Sequence, residues 1–225
     1  CNPVAIGFAI FGGLIALGFW SDRRRRMEYL PPSMKVEGVG IKRGLTAVEA
    51  AILLETPLNK VMTMILFGLL KKGAVTVLND NPLKIRPNQP LPEGLQAYET
   101  AFIEAIKSDG TLSQKKLRDM TVALIKEVNN KMKGFSRKET VAYYKDIVNR
   151  AWQQVESAET PEVKSQRFDE NMEWTMLDEH FDRRTQQTFS TGPVFVPLWM
   201  GYHRPMARAY NIPTPSASRP SGGTS

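Results

Sequence analysis

The sequence contains few of the residues on which redox, metal and phosphate chemistry depend. Cys1 is its only cysteine, so a disulfide framework, a thiolate metal cluster and redox chemistry by paired thiols are excluded. There are two histidines, His180 and His203, and neither a glycine-rich phosphate loop nor a Gly-x-Ser-x-Gly motif. Metal ligands on a helix must converge from one face, and Glu173, Met176 and His180 meet this requirement poorly. We therefore predict a protein that is not an enzyme and that binds no cofactor or metal.

Basic residues outnumber acidic residues, although this surplus does not identify a partner. The sequence has 30 Lys and Arg against 23 Asp and Glu, a net charge of +7 and a pI near 9.5. This balance suits an anionic partner, either lipid headgroups or nucleic acid. Since 42% of the 225 residues are hydrophobic, we expect one or two modest cores beyond any membrane segment.

Residues 3–20 form an uncharged, apolar run that is long enough to cross a membrane. A helix of about 18 residues, at 1.5 Å per residue, spans roughly 27 Å of hydrocarbon. The core of a signal peptide is usually shorter and follows its positive charges, and a buried soluble helix rarely lacks polar residues all round. The sequence therefore predicts a transmembrane helix over residues 1–22 and a basic juxtamembrane linker over residues 23–34.

Four consecutive arginines follow the predicted span: Arg23, Arg24, Arg25 and Arg26. Such residues are retained on the cytoplasmic side, so we expect the N-terminus to face out and the body to face in. The arginines also lie at the depth of anionic headgroups, where each contributes about 1 kcal/mol, and Trp20 lies at the interface. We predict that these five residues contact lipid; the alternative is that the arginines only set the topology.

Small residues recur within the predicted span and would let another helix approach closely. They are Ala5, Ala9, Gly12, Gly13 and Ala16. Small residues are common in transmembrane helices in any case. We predict that this stripe packs against another membrane protein or against a second copy of the chain.

The body begins with recognisable helix starts and stops. Thr46 and Glu49 have the spacing of a capping box, which predicts a short helix that ends near Glu55. Pro57 lies in the first turn of a second helix, and Gly73 ends that helix after two lysines. The second helix is apolar nearly all round, so we expect it to be mostly buried.

Two short strands follow this helix pair. Residues 74–78 are apolar and β-branched, the residues that follow read as a turn, and residues 83–86 can return as a second strand. Helix, turn, helix and a two-stranded wing is the order of a winged helix-turn-helix. We therefore predict a winged-helix-like unit over residues 35–87.

A second unit repeats the first in outline. The sequence AYETAFI of residues 97–103 has the spacing of AVEAAIL in residues 47–53, and each unit closes a long helix with a Lys-Gly step. We predict a second helical, winged-helix-like unit over residues 93–158, in which Ser113 caps the long helix. A C-terminal helix is expected over residues 159–189, followed by a Pro/Gly/Ser-rich tail over residues 190–225.

The last two predicted helices each carry an apolar stripe. Ser136 and Glu139 have capping-box spacing, and the face that follows presents Val141, Tyr144, Val148, Ala151, Trp152 and Val155. Thr160-Pro161 opens the C-terminal helix, whose stripe is Phe168, Met172, Met176, Leu177 and Phe181. The predicted fold class is therefore mainly α with a small β wing: a single N-terminal transmembrane helix, tandem winged-helix-like units and a C-terminal helical extension.

The tail contains a cluster of aromatic residues, Phe195, Trp199 and Tyr202. Aromatic residues next to cationic ones are typical of an interfacial anchor or of a peptide that docks in a groove. We predict that these three residues dock a partner; the alternative is that the tail folds back on its own domain.

A winged helix raises the question of DNA binding. Its second helix would present polar residues to the groove, and here these are Asn59, Lys60 and Thr63. The wing tip carries Asp80, which would repel phosphate. This pattern favours a helix buried against protein, so nucleic acid is disfavoured as a partner.

Five short motifs stand out along the chain: Leu30-Pro31-Pro32, LTAVEAA (45–51), ILFGLLKKGA (65–74), Asn81-Pro82-Leu83 and Tyr98-Glu99. In these motifs the stretch from residue 19 to residue 199 resembles a bacterial family of predicted membrane proteins of unknown function, known from green non-sulfur bacteria. The resemblance implies an outward-facing region, a membrane helix, winged-helix-like cytoplasmic units and a Gly/Ser-rich tail, without known catalytic residues. Because no sizeable region precedes Pro3, we expect a truncated or processed precursor, lipidation of Cys1 being the alternative.

These observations favour a non-enzymatic interaction or scaffold protein in the bacterial cytoplasmic membrane, with its body on the cytoplasmic side. The expected partners are other membrane proteins, a second copy of the chain and anionic lipid headgroups. The alternative is a membrane-tethered regulator that binds nucleic acid, and an unrecognised enzyme ranks third.

Overall fold

A computed structural model describes residues 38–80 and 82–189. The predicted transmembrane helix with its small-residue stripe, Trp20 and the four arginines all lie outside these residues. So do Phe195, Trp199 and Tyr202 of the tail. Within residues 38–80 and 82–189, no helix is long and apolar enough to cross a membrane.

The described residues form seven α-helices and one two-stranded antiparallel sheet. The protein is therefore mainly helical with a small β wing, as the sequence predicts. In chain order the elements are α1 (Ala47–Leu53), α2 (Leu58–Lys71), β1 (Val75–Asp80), β2 (Leu83–Pro87), α3 (Ala97–Glu104), α4 (Gln114–Met132), α5 (Arg137–Glu156), α6 (Pro161–Thr175) and α7 (Phe181–Thr188).

Local capping fixes the ends of the first two helices. Thr46 Oγ1 accepts the Glu49 N–H at 3.2 Å, and the Glu49 carboxylate accepts the Thr46 N–H at 3.0 Å. This is the predicted capping box, and it starts α1. Glu55, at φ +55°, lies between the helices, and Gly73, at φ +68°, ends α2 in the left-handed conformation that glycine adopts without strain.

Helix α2 is buried on more than one face, as its composition predicts. It contacts α1, α3 and β1, so its apolar residues face three different elements. Such a helix is stabilised by burial on every side that carries a large apolar side chain. Its buried residues are Val61, Thr63, Met64, Ile65, Leu66, Phe67, Gly68 and Leu69.

Strands β1 and β2 pair over their whole length. Val77 lies opposite Ile85, and Asp80 lies opposite Leu83, so the connection is shorter than the turn that the sequence predicts. The register shifts between Val77 and Asn79, which makes an irregularity of the kind seen in β-bulges. Ile85 is fully buried, so the wing contributes to the core of the body.

The second unit differs from the first because no hairpin follows its long helix. In residues 93–158, all of which the structure describes, the turn between α3 and α4 holds a single bridge, Ile106 with Leu112. Gly110 in this turn accepts the Ile85 N–H at 2.9 Å, so the turn packs on the wing of the first unit. Helix α4 then ends at Gly134, at φ +81°, and α5 follows directly. The sequence repeat therefore corresponds to a repeat of helices.

The C-terminal region forms two helices where the sequence predicts one. Asp178 makes the turn between α6 and α7: its carboxylate accepts the His180 N–H at 2.8 Å, and its own N–H donates to Thr175 O at 3.1 Å. The turn redirects the chain and places Phe181, which is 5% exposed, in the core. The predicted apolar stripe of this region is buried throughout: Phe168, Met172, Met176, Leu177 and Phe181.

One hydrophobic core runs through both units and the C-terminal extension, by which we mean residues 160–189. Trp152 of α5 is fully buried and lies 5.8 Å from Phe168 and 6.1 Å from Phe181, measured between ring centroids. Tyr144 stacks on Trp174 at 5.9 Å. Because every part of residues 45–189 contributes to this core, the units at 35–87 and 93–158 belong to one packed body.

Leu66→Asp tests the burial of α2. Leu66 is 1% exposed, so aspartate there would be an unpaired charge in the core and should lower the free energy of unfolding by several kcal/mol. Thermal unfolding followed by tryptophan fluorescence should show a fall of about 10 °C or more, or no cooperative transition. Val122→Asp is the matched control, because Val122 is 45% exposed, and it should unfold close to the wild type. Equal unfolding temperatures for both variants would show that α2 is not packed as described.

Candidate functional site

Two buried glutamates occupy equivalent positions in the two units. Glu49 is 1% exposed and Glu99 is 4% exposed. Each lies in the first turn of its helix and accepts the backbone N–H three residues earlier, from Thr46 at 3.0 Å and from Gln96 at 2.8 Å. The repeated sequence therefore places a carboxylate at the same point of α1 and α3, where it also complements the positive end of the helix dipole.

Each glutamate is bound by a lysine from the other unit. Lys131 of α4, in the second unit, donates to Glu49 Oε1. Lys72, at the end of α2 in the first unit, donates to Glu99 at 2.7 Å and 2.6 Å. We call these two contacts the crossed ion pairs. Because each pair joins one unit to the other, they fix how the two units sit against each other.

Tyr98 lies between the two capping sites. Its hydroxyl donates to Thr46 Oγ1 at 3.1 Å, so α3 is tied directly to the first residue of the capping box. Burial raises the pKa of Tyr98, and the nearby carboxylates of Glu99, Glu49 and Glu173 raise it further, against the opposing effect of the Thr46 hydrogen bond. A phenol with a raised pKa stays protonated and acts as a hydrogen-bond donor; it is a poor general base or nucleophile at neutral pH.

The C-terminal extension lies along one face of α2. Lys60 Nζ donates to Asp178 O at 2.9 Å and lies 5.7 Å from the ring centroid of Phe181. Burial lowers the pKa of Lys60, and the carboxylates of Asp182, Asp178 and Glu179 oppose this effect. A lysine held in this way is already engaged with the protein, so its charge is not free for a phosphate.

Two further contacts continue along the same face. Gly68 of α2 faces Glu173 of α6. A Cβ atom added at Gly68 would lie only 3.7 Å from Glu173 Oε1, so the side chain of Glu173 comes close to the backbone of α2. Lys71 Nζ lies 3.6 Å from the Asp169 carboxylate and donates to Asp169 O. As the position on α2 rises from Lys60 to Lys71, the position of the contacting residue in the extension falls from Asp178 to Asp169. The extension therefore runs antiparallel to α2 and contacts it at these three points.

The residues predicted to face a DNA groove are mostly engaged within the protein. Lys60 binds the extension, and Thr63, which is 6% exposed, donates its hydroxyl proton to Asn59 O at 3.1 Å. The side chain of Asn59 is exposed and accepts the Lys60 N–H at 2.8 Å. On the face that a winged helix would use for base contacts, Lys60 is thus engaged by residues 160–189 and Thr63 by α2 itself, while Asn59 is exposed.

A segment that the sequence analysis left without a role also contacts the body. We call residues 38–45 the strap, because they run along the turn between α4 and α5. The strap is held by hydrogen bonds from Val39 N to Gly134 O at 3.1 Å, from Ser136 N to Gly40 O at 2.9 Å, from Lys42 N to Thr140 Oγ1 at 3.0 Å and from Leu45 N to Tyr144 Oη at 2.8 Å. In the sequence, the strap is marked by its three glycines. Two of them, Gly40 and Gly44, adopt the left-handed conformation, with φ +83° and +78°.

The residues considered as metal ligands are not brought together. His180 is exposed, Met176 is buried and Glu173 is half-buried beside α2. In the part of the chain that the structure describes, no three His, Cys, Asp or Glu side chains are placed to hold a metal ion. The polar groups that are buried, Glu49 and Glu99, are instead occupied by helix amides and lysines.

Replacing Lys72 tests the crossed ion pairs. Lys72→Met leaves the Glu99 carboxylate buried without its cation and should lower the free energy of unfolding by about 1–2 kcal/mol. The estimate is below that for a fully buried pair because Lys72 is 36% exposed and partly screened by solvent. Thermal unfolding should shift by about 2–4 °C per kcal/mol for a chain of this size.

A double-mutant cycle supplies the control for this experiment. Glu99→Gln keeps an acceptor for the Gln96 amide but removes the charge, so the variant with both changes should lose less stability than the sum of the single variants. Lys126→Met changes an exposed lysine of α4 and should stay within about 0.5 kcal/mol of the wild type. Simple additivity of the two single variants would mean that the Lys72–Glu99 contact contributes nothing.

Alkaline pH tests the position of Tyr98. Its folded pKa lies above the ordinary value of about 10, so above pH 10 the folded state keeps a proton that the unfolded state has lost. The contribution of this proton to the free energy of unfolding is therefore complete below pH 10. Above pH 10 it falls by about 1.4 kcal/mol per pH unit until the folded pKa is reached. Tyr98→Phe should be less stable than the wild type at pH 8, because a hydrogen bond is missing, but this deficit should shrink at pH 11. A deficit that is the same at both pH values would contradict the burial of the hydroxyl.

Comparison with known proteins adds no function to this geometry. No protein-family model, curated protein sequence or solved structure matches the chain.

Proposed function

We propose that this chain is a non-enzymatic, membrane-anchored interaction or scaffold protein, a subunit of a larger assembly in the bacterial cytoplasmic membrane. In this proposal residues 3–20 cross the bilayer and the helical body lies on the cytoplasmic side. The apolar run and the arginines that follow it support the anchor. The resemblance to a bacterial membrane-protein family supports the same arrangement.

The observation that carries the proposal is the packing of α2. A DNA-reading helix needs a free polar face, whereas most of α2 is buried in the core and its Lys60 and Lys71 are engaged by the C-terminal extension. The first unit therefore uses a winged-helix order of elements to dock protein. We propose that the second unit is a degenerate copy that has kept the helices, and that the crossed ion pairs hold the two copies together.

The distribution of charge supports the same conclusion. Residues 38–189 contain 22 Lys and Arg against 20 Asp and Glu, so most of the surplus positive charge lies outside the body. A nearly balanced body has little nonspecific attraction for a polyanion. The surplus near the predicted span, in contrast, is where it would meet anionic headgroups, through Arg23, Arg24, Arg25, Arg26 and Trp20.

The proposed partners are membrane proteins and a second copy of the chain. The small-residue stripe of Ala5, Ala9, Gly12, Gly13 and Ala16 would accept another transmembrane helix. On the cytoplasmic side, Phe195, Trp199 and Tyr202 would dock a partner, because exposed aromatic clusters are energetically costly in water.

A DNA selection on the full chain tests the proposal against its main alternative. The chain is purified from the membrane fraction in mild detergent and incubated with a random duplex library at about 150 mM salt, near physiological ionic strength. We expect no enriched motif, and any weak attraction should disappear as salt rises. Lys60→Ala and Asn59→Ala should behave as the wild type.

Two results would contradict different parts of the proposal, the first its scaffold function and the second its membrane anchor. A defined motif that is enriched by the wild type and lost in Lys60→Ala or Asn59→Ala would identify a tethered regulator. A chain that is recovered only in the soluble fraction would show that residues 3–20 do not anchor it.

A further inference from the structure

The strap presents an exposed aliphatic side chain on a fixed backbone. Val39 is 90% exposed, more than the other exposed large hydrophobic residues of the described chain, which are Leu78, Leu91, Val122 and Val163. Its N–H is nevertheless bound to Gly134 O at 3.1 Å, so the residue does not belong to a free coil. Gly38 lies so close to Gly134 that a Cβ there would overlap the Gly134 backbone. The side chain of Val39 is therefore held out from the surface by backbone contacts on either side of it.

Basic residues stacked on aromatic rings lie next to Val39. Lys42 Nζ lies 5.4 Å from the ring centroid of Phe135, and the guanidinium of Arg43 lies 5.8 Å from that of Tyr143. Both rings are half-buried, so they position the cations at the surface without enclosing them. Lys133 is exposed and immediately precedes Gly134, the residue that binds the strap. An aliphatic tip among cations and aromatic rings is the composition of a surface that rests on a membrane interface.

Acidic residues do little to neutralise this surface. Glu55 is occupied by Arg137, with the two side chains 3.1 Å apart. Glu139 is exposed in the first turn of α5 and is the remaining acidic side chain on this turn. Lys138 beside it is exposed as well. The turn between α4 and α5 and the strap therefore carry a net positive charge.

The position of the strap in the chain indicates which anionic partner it meets. Gly38 lies twelve positions after Arg26, and an extended chain of this length reaches about 40 Å at most. If residues 3–20 cross the bilayer, the strap is the first part of the described body to follow the membrane. A bilayer surface is then within reach at all times and at a high effective concentration.

We propose that Val39, Lys42, Arg43 and Lys133 form a membrane-contact surface that binds the anionic headgroups of the bilayer in which the chain is anchored. This inference rests on the proposed anchor and adds a second, folded contact to it. The cations bind lipid phosphate and Val39 enters the interfacial region. The body is then held in one orientation, with the α4–α5 turn towards the membrane.

A fluorescent label at position 39 tests this orientation. The full chain, with Cys1→Ser and Val39→Cys, is labelled with an environment-sensitive dye and incorporated into nanodiscs of phosphatidylcholine alone or with phosphatidylglycerol. We expect a blue shift of the emission in the discs that contain phosphatidylglycerol. The matched control carries the label at Val163→Cys, a valine of similar type on α6 that is 42% exposed, and its emission should be the same in both discs.

Charge reversal tests the role of the cations. Lys42→Glu with Arg43→Glu should abolish the blue shift, because losing two basic residues at roughly five-fold each lowers the ratio of docked to undocked body about thirty-fold, and the new glutamates add repulsion. Lys164→Glu with Arg167→Glu, on α6, is the control and should keep the shift. Should the glutamates disturb folding, Lys42→Gln with Arg43→Gln gives the same test with smaller changes.

The outcomes separate the contact surface from the anchor. Failure of the chain to enter nanodiscs would overturn the proposed anchor itself. Incorporation with an aqueous signal from position 39 in both lipid compositions would overturn the contact surface and leave the anchor intact. An equal blue shift in both compositions, or one that survives the glutamine variant, would show that headgroup charge is not what binds.

Discussion

Helix α2 imposes the main constraint on this structure, because it is too apolar to be covered by one neighbour. Helix α1, helix α3 and strand β1 each cover part of it, and the C-terminal extension contacts it through Lys60 and Lys71. A helix with apolar residues on several sides is stable in water only when several elements pack on it. The elements that contact α2 come from successive parts of the chain: first from the unit that contains α2, then from its repeat and finally from the extension.

The crossed ion pairs act on this arrangement in a different way. Removing two carboxylates from water has a large desolvation cost, so Glu49 and Glu99 add little net stability by being paired. We infer that their effect is on specificity, because the observed arrangement of the two units places a lysine beside each buried carboxylate. The sequence repeat thus provides the two equivalent carboxylates, Glu49 and Glu99. Their cations, Lys72 and Lys131, come from the C-terminal ends of α2 and α4.

Local chemistry in the sequence predicts much of the fold. Thr46 and Glu49 predict the start of α1, Ser113 predicts the start of α4, and Gly73 and Gly134 mark the helix ends. These features act within one helical turn, so they are visible in a short stretch of sequence. The apolar stripes of α5 and of the extension are visible for the same reason, since their period is that of a helix.

The features that define the candidate site depend on contacts between distant residues. Lys131 and Glu49 are 82 positions apart, and nothing in the sequence of either helix indicates the pairing. The capping box expected at Ser136 shows how such contacts compete with local ones. Ser136 Oγ accepts the Glu139 N–H as predicted, but the Ser136 N–H donates to Gly40 of the strap. The turn at Asp178 combines both kinds of contact, since local hydrogen bonds form it and the distant Lys60 binds its backbone carbonyl.

The contact between Lys60 and Asp178 also has a consequence for the order of events during synthesis. The two residues are 118 positions apart, and a ribosome adding about 5–20 residues per second needs roughly 6–24 s to make the intervening chain. During this interval α2 has left the ribosome while the segment that binds its lysines does not yet exist. Lys60 and Lys71 gain their partners Asp178 and Asp169 only when this segment has been made, so the first unit reaches its final set of contacts only after nearly the whole body has been synthesised.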